Sequence, residues 1–413
     1  MILFILSMNI QLVGVTKPII KRGECDSLFV DYDKIENVLD ESSDKENIIK
    51  SIKRFTQNFA RVCYSKYDWN ELLKEEFNEK LIDERVIPSK HHSVFEHIWL
   101  NFYLEGIPKI GAMILNNEKQ YVTSEKSARY TQMIEVEPVQ KELYNKWMEI
   151  LIPEIDKIYP QLSDLKARTE TITKLAQENA RYMTSVFTPT NMAYTANLRQ
   201  LNFLLRQFER DSVPNISIGL EERVVPMLNE FAGKIDSLRI LGLEYKDDDK
   251  GISLFDNRDV EEHFGDVYST RYLMSFASLA QAQRHRTINY HISDRIDLDS
   301  PFGFFIPKIV SSAKLDSEWI SDLEEVAKSD FPQARLLCVN ERGIIEHFRG
   351  KAIERICGQA QYETMRNTVE TAEKFNQYQK EYGENSCKPK CLQGKKCNFP
   401  CVWGGEKATT RLI

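Results

Sequence analysis

The segment Gln281-Ala-Gln-Arg284-His285-Arg286-Thr287 carries the densest chemistry in the sequence. Three adjacent cationic or titratable side chains follow an Ala-rich stretch, and such a group is costly to bury without an anionic partner. Two arginines at i and i+2 can grip a phosphate or an anionic pyrimidine ring from two directions, with bidentate geometry. A solvated basic helix end, favoured by the helix dipole, accounts for the tripeptide equally well. A second segment reads His91-His92-Ser-Val-Phe95-Glu96-His97. It lacks the His-Glu-x-x-His spacing that puts two metal ligands on one helix face, so a structural or ligand-orienting histidine pair is the simpler reading. A third runs from Thr123 through Glu125, Ser127 and Arg129 to Tyr130. Hydroxyl, carboxylate and guanidinium groups this close suit a ligand with phosphate and sugar hydroxyls, although capping and turn chemistry would use them too.

The C-terminal segment holds Cys387, Cys391, Cys397 and Cys401 with Lys388, Lys390, Lys395 and Lys396 interleaved. Four thiols fit one tetrahedral zinc, and the lysines would offset the thiolate charge. The gaps differ from the two-residue spacing of zinc ribbons, so an iron–sulfur cluster, redox disulfides or no metal remain open. Cys25, Cys63, Cys338 and Cys357 lie singly in no nucleophile motif and read as small buried hydrophobes.

Taken in order, His91–His97, Ser127–Tyr130 and Gln281–Thr287 make the chain similar to the flavin-dependent thymidylate synthases. Two further elements of that family have counterparts here, the helix Asn197-Leu-Arg199-Gln-Leu201 and the run Arg355-Ile-Cys-Gly-Gln-Ala360-Gln361-Tyr362-Glu363. The departures are complementary. After Phe95-Glu96-His97, where the family has Arg-His-Arg, this chain has Asn116-Asn117-Glu118, yet Glu125-x-Ser127-x-Arg129-Tyr130 comes next as expected. Arg284-His285-Arg286 is intact, but the stretch Ile288-Asn-Tyr-His-Ile-Ser-Asp-Arg295 after it does not reproduce that second element. Each half keeps what the other has lost, the pattern of a duplicated, fused chain with one composite site.

The resemblance implies dUMP as substrate, held by Gln281, Arg284, Glu125, Ser127, Arg129 and Arg355. Arg284 and Arg355 would also stabilise charge developing on the ring. It implies FAD held by His91, His92, Asn197, Arg199, His285 and Arg286, with no Rossmann fold. Reduced flavin would carry the one-carbon unit and supply hydride, with NADPH and methylene-tetrahydrofolate as co-substrates. Alternatives are a related flavoenzyme making another C5-modified pyrimidine nucleotide, and a non-catalytic nucleotide- or RNA-binding descendant. A homodimer would act as a pseudo-tetramer by burying the faces of Tyr272–Ala282 and Leu198–Leu205.

The elements that must position these residues read as an α+β protein with two tandem lobes. Each lobe is a small antiparallel sheet with helices, the second mostly helical, followed by the Cys-rich tail. Asn9–Val15 and Ile98–Leu104 are predicted strands. Predicted helices are Glu46–Ala60, Glu142–Tyr159, Asp164–Tyr182, a helix from Thr190 or Ala193 to Arg210, Tyr272–His285 and Ile344–Tyr378. The lobes span 9–243 and 259–380, joined by a charged linker at 244–258, with the tail at 381–413. The chain of 413 residues, 42% hydrophobic and 28% charged, has ample core material. A net charge of −7 gives no general pull on nucleic acid or anionic membranes. The apolar run Met1–Leu6 is too short to span a bilayer and lacks a basic n-region, so a cytoplasmic protein is expected.

Overall fold

The computed structural model describes residues 8–16, 42–63, 65–72, 74–129, 136–164, 168–243, 251–256, 260–293, 302–378, 388–397 and 401–413. Two four-stranded antiparallel sheets carry the architecture. The first contains β1 (Asn9–Val15), β2 (Trp99–Pro108), β3 (Val122–Glu125) and β4 (Pro189–Asn197), in the order β1-β2-β4-β3. The second contains β5 (His263–Phe264), β6 (Val267–Ser275), β7 (Asn289–Ile292) and β8 (Leu336–Ile344), in the order β5-β6-β8-β7. The α+β class is therefore correct, and the same strand order occurs twice.

The helices repeat in the same way. After α1 (Ser42–Val62), β2 runs directly into α2 (Lys109–Leu115) and β4 into α5 (Leu198–Phe208), followed by α6 (Ile218–Ile235). In the second half β6 runs into α7 (Phe276–Ala282) and β8 into α9 (Ile345–Arg355), followed by α10 (Tyr362–Tyr378). Between β3 and β4 lie α3 (Pro138–Ile158) and α4 (Arg168–Ala180), and between β7 and β8 lies α8 (Asp316–Ala327).

Register aligns the halves on either side of a one-residue bulge in β2 between Leu104 and Ile107. Pro108 pairs with Pro189 as Ser275 pairs with Leu336, and Trp99 pairs with Asn197 as Val267 pairs with Ile344. The step that carries Pro189 to Leu336 also carries Ser185 to Pro332, and those two residues bridge to each other. Val186 N donates to Phe331 O at 2.9 Å, and Gln333 N donates to Thr184 O at 2.8 Å. Exchanging the halves turns each bond into the other, so a local pseudo-twofold axis passes between Ser185 and Pro332.

The halves share their cores. One cluster joins Leu100, Leu104, Tyr194 and Leu204 to Met274, Phe276, Leu279 and Leu337. A second packs α3 and α4 against α8 and the C-terminal segment through Trp147, Tyr182, Trp319 and Trp403. Burial of this apolar surface is the main favourable contribution to folding.

Several expectations need correction. The second half has more helix than strand, but β6 and β8 form its centre. Tyr272–Ser275 ends a strand, with Tyr272 and Met274 buried and Leu273 exposed, before a short helix to Ala282. The segment Pro189–Asn197 is also a strand, alternating buried Thr190, Met192, Tyr194 and Ala196 with more accessible neighbours. Ile344–Tyr378 is strand end, α9, a turn and α10 rather than one helix. A Cβ at Gly358 in that turn would meet Trp403 at 2.7 Å, so glycine lets the C-terminal segment pack there. The faces assigned to a dimer contact, Tyr272–Ala282 and Leu198–Leu205, already fill the chain's own core with Phe276, Leu279, Leu201 and Leu205. Among the described residues no helix is long and apolar enough to cross a membrane.

Candidate functional site

The turn after α7 carries Arg284-His285-Arg286, and the α7 register sets what it presents. Ser275 caps α7, its Oγ accepting from Ser278 N at 3.1 Å. Gln281 points inward, its Oε1 accepting from Thr364 Oγ1 at 2.9 Å, and its buried Nε2 has no hydrogen-bond partner among the described residues. Arg284 and Arg286 are exposed. His285 is largely buried, and its Nε2 lies 3.8 Å from Glu354 Oε2, beyond hydrogen-bond reach. Burial, helped by the charges of Arg355 and Lys351, pushes the His285 pKa down to about 2. The imidazole is therefore neutral at physiological pH.

Arg129 comes from the first half and crosses to the second. Its Nη2 donates to the carbonyl of Gln359 at 2.8 Å, and its Nε lies 2.6 Å from Glu178 Oε1. Arg355, at the end of α9, has its pKa lowered by burial, opposed by Glu354, with Arg284 and Arg129 adding to the lowering. Arg181 is lowered first by burial, with Tyr182 and Glu178 opposing and Arg129 and Arg284 adding to it. Arg129 and Arg284 thus each act electrostatically on both Arg181 and Arg355, and Arg129 acts on Arg411 as well. Glu178 and Glu354 are the acids that act on them, which leaves an excess of positive charge suited to an anion.

The run Ala360-Gln361-Tyr362-Glu363 builds the floor. Glu363 accepts from Ser275 N at 2.7 Å and from the Tyr182 hydroxyl at 2.6 Å. Gln361 Nε2 donates to the Tyr182 hydroxyl at 2.5 Å and its Oε1 accepts from Arg181. Arg411 donates to the Gly358 and Ala360 carbonyls, so the C-terminal segment braces the same turn. Arg181, Glu178 and Arg411 were not legible as site residues. The one signal was charge in an otherwise core-forming stretch, Glu178 and Arg181 beside the buried Ala180 and Tyr182.

The remaining candidates are dispersed. Glu125 forms an ion pair with Lys109 and accepts from Asn116 Nδ2 at 3.4 Å, while Ser127 Oγ accepts from Arg129 N at 3.4 Å. His91 lines a cavity of about 520 Å³ with Arg61, Tyr67 and Arg85. His92 is buried with Nε2 3.1 Å from the Ile87 carbonyl, so its polarity is used structurally. Asn197 caps α5, its Oδ1 accepting from Gln200 N at 2.8 Å, and its Nδ2 lies 3.5 Å from Gln120 Oε1. Arg199 pairs with Glu96. Arg286 acts electrostatically on Tyr121, the neighbour of the Gln120 that faces Asn197.

That turn fixes the alignment of the halves. Counting from the ends of α2 and α7, Arg284-His285-Arg286 corresponds to Asn117-Glu118-Lys119, one residue later than Asn116-Asn117-Glu118. Asn117 Nδ2 donates to Ser253 Oγ at 2.7 Å and to the Tyr290 carbonyl at 2.9 Å. Glu118 Oε1 accepts from Ser253 N at 2.5 Å, and Lys119 Nζ donates to the Ile288 carbonyl at 2.5 Å. This turn is spent on holding the halves together.

The zinc expectation finds no support. Among the described residues no three His, Cys, Asp or Glu side chains converge to hold a metal ion, and Cys387 lies outside those residues. Cys357, read as an isolated hydrophobe, is half-buried beside the tail cysteines instead.

Residues 47–211 match the family model described as thymidylate synthase complementing protein. No curated protein matches the chain. Among solved structures, thymidylate synthase X from Helicobacter pylori with FAD and dUMP is 16% identical, covering 57% of this chain and 99% of that one, at a TM-score of 0.30. The UMP/dUMP methylase PolB from Streptomyces cacaoi, bound with 5-Br dUMP, is 17% identical over 54% of this chain and 87% of its own, at a TM-score of 0.29.

Proposed function

We propose, for a chain whose residues 47–211 belong to the thymidylate synthase complementing protein family, flavin-dependent methylation of a uridine nucleotide at C5. The substrate is dUMP and the product dTMP, with methylene-tetrahydrofolate and NADPH as co-substrates, in one composite site. The observation that supports this reading is that Arg129 of the first half bonds the Gln359 carbonyl of the second, and that Arg129 and Arg284 both act electrostatically on the largely buried Arg355. A dianionic nucleotide phosphate would satisfy that charge, and the orphaned Gln281 Nε2 supplies a donor for a pyrimidine carbonyl.

The residues fit a flavin in part. Exposed Arg286, neutral His285 with an unpartnered Nε2, and His91 at its cavity offer polarity to a cofactor, with Arg199 nearby and already paired to Glu96. His92 and Asn197 hold the protein's own backbone and would orient rather than bind. When bound and reduced by NADPH, FAD would supply one-carbon transfer and hydride, chemistry no side chain here can replace. The chain's own part is electrostatic. Arg284 and Arg355 stabilise negative charge on the pyrimidine as its C5 becomes nucleophilic, and neutral His285 avoids adding a third cation to the turn. Glu178 holds Arg129 in place for the phosphate. The two sheets are read as tandem lobes of a fused chain, and a homodimer of such chains would present four.

Mass spectrometry of products after incubation with dUMP, methylene-tetrahydrofolate and NADPH tests the activity, and flavin absorbance of the purified protein tests the cofactor. Protein that stays colourless after incubation with FAD and leaves dUMP unchanged would sink the proposal.

A further inference from the structure

We propose that Cys357 and Cys401 form a reversible disulfide that clamps the C-terminal segment onto the turn between α9 and α10. Three contacts bring the two segments together. The Gly358 backbone abuts Trp403, two residues beyond Cys401, so closely that a Cβ there would sit 2.7 Å from the indole. Arg411 donates to the Gly358 and Ala360 carbonyls, and Trp403 packs edge-on against Tyr159 with ring centroids 4.8 Å apart. Leu392 packs against Gly405, folding the Cys391 stretch back beside the Cys401 stretch. Cys401, Cys391 and Cys397 are exposed while Cys357 is half-buried.

The exposed Cys401 reacts first. Its thiolate attacks a low-molecular-weight disulfide such as oxidised glutathione, forming a mixed disulfide and releasing one thiol. Cys357, as thiolate, then attacks the Cys401 sulfur, forming the protein disulfide and releasing the second thiol. Two thiol protons and two electrons leave the protein, and the small disulfide becomes two thiols. Excess reduced thiol runs the steps backwards. The clamp bears on the turn whose Gln359 carbonyl receives Arg129, and it stands independently of the nucleotide chemistry.

The test equilibrates the full chain in glutathione buffers from reduced to oxidised, blocks remaining thiols, and digests it without reductant for mass spectrometry. A Cys357–Cys401 cross-linked peptide is expected, lost in Cys357→Ser and in Cys401→Ser and retained in Cys63→Ser. Tryptic cleavage of the intact protein within 401–413 should slow severalfold on oxidation. Thiols that all remain alkylatable under oxidising conditions, dominance of a Cys391–Cys397 link, or stoichiometric zinc that shields the thiols until chelated would each overturn the proposal. The cross-link is read in the wild-type chain and in Cys63→Ser, so misfolding of either single variant cannot decide the outcome.

Discussion

The two sheets share a strand order but not an interior. Leu100, Leu104, Tyr194 and Leu204 are fully buried in the first half. Register places Tyr268, Tyr272, Glu341 and Lys351 at the matching positions of the second. There Lys351 and Glu341 form an ion pair with almost no solvent exposure. The Tyr268 hydroxyl donates to Glu341 Oε1 at 2.6 Å, and the Tyr272 hydroxyl donates to its other oxygen. A buried ion pair is rarely a net gain over apolar packing. The half that keeps it is the half that keeps Arg284-His285-Arg286, and Lys351 helps hold His285 neutral. The first half is thus packed for cohesion, whereas the second accepts a costly polar core in the half that carries Arg284-His285-Arg286.

The most forceful challenge to this contrast is to strand one charge. Lys351→Met leaves Glu341 buried without its partner and should cost about 3–5 kcal/mol in urea unfolding. Copying the first half in full, with Tyr268→Leu, Tyr272→Leu, Glu341→Tyr and Lys351→Leu together, should recover most of that loss. A quadruple variant as unstable as the single one would refute the equivalence of the two interiors.

The composite site comes next in size. Arg129→Ala and Arg284→Ala should each weaken dUMP binding by about 1.5–3 kcal/mol, the scale of a lost charge-assisted contact. Together they should cost less than their sum, because both act on one ligand. Calorimetry should return one nucleotide per chain, with Arg349→Ala near wild type. Two nucleotides per chain, or either single variant binding normally, would argue for two separate sites.

A pH series probes the electrostatic side of the contrast. With its folded pKa pushed down to about 2, His285 stays neutral while an unfolded histidine takes up a proton near 6.5. Below that pH the unfolded state binds more protons, so stability falls as pH falls. His285→Gln should remove up to about 1.4 kcal/mol per pH unit of that slope between about pH 6 and 4. An unchanged slope would place the histidine in solvent.

The smallest effect concerns helix starts. Asn197 caps α5 with its side chain, whereas Ile344 at the matching position of α9 offers none. Asn197→Ala should lose about 1 kcal/mol and Ile344→Asn should gain about 0.5–1 kcal/mol, both read as shifts in urea midpoint. No gain from Ile344→Asn would mean that the β8–α9 junction cannot accept a cap.

The motifs were legible because each packs its chemistry into a few consecutive residues. Arg284-His285-Arg286 and Glu125-x-Ser127-x-Arg129 could be found without knowing where they lie in space. The strand at Pro189–Asn197 was misread as helix because Met192, Ala193 and Ala196 favour helices, and pairing on both sides by β2 and β3 overrides that preference. The sequence does not place the strands of the second sheet, for a related reason. Glu341 and Lys351 interrupt the apolar pattern that marks a buried strand and its helix, and only their pairing makes them core residues. Glu178 and Arg181 show only as charges in a core-forming stretch, and Arg411 has no local signature. Their relevance comes from contacts such as Arg129 with Gln359, which span most of the chain.

On the fused reading, the bridge between Ser185 and Pro332 has a consequence for inheritance. When two identical chains meet on a twofold axis, the residue there faces its own copy, and any mutation strikes both sides at once. A proline on such an axis would remove two amide hydrogens together. In this chain serine faces proline, and the flanking bonds from Val186 and Gln333 need neither residue's amide. Mutations arrive here one side at a time, so a change that would break a symmetric pair can be tested in one half while the other stays intact. That freedom is what lets one turn become a structural joint while its twin keeps its arginines.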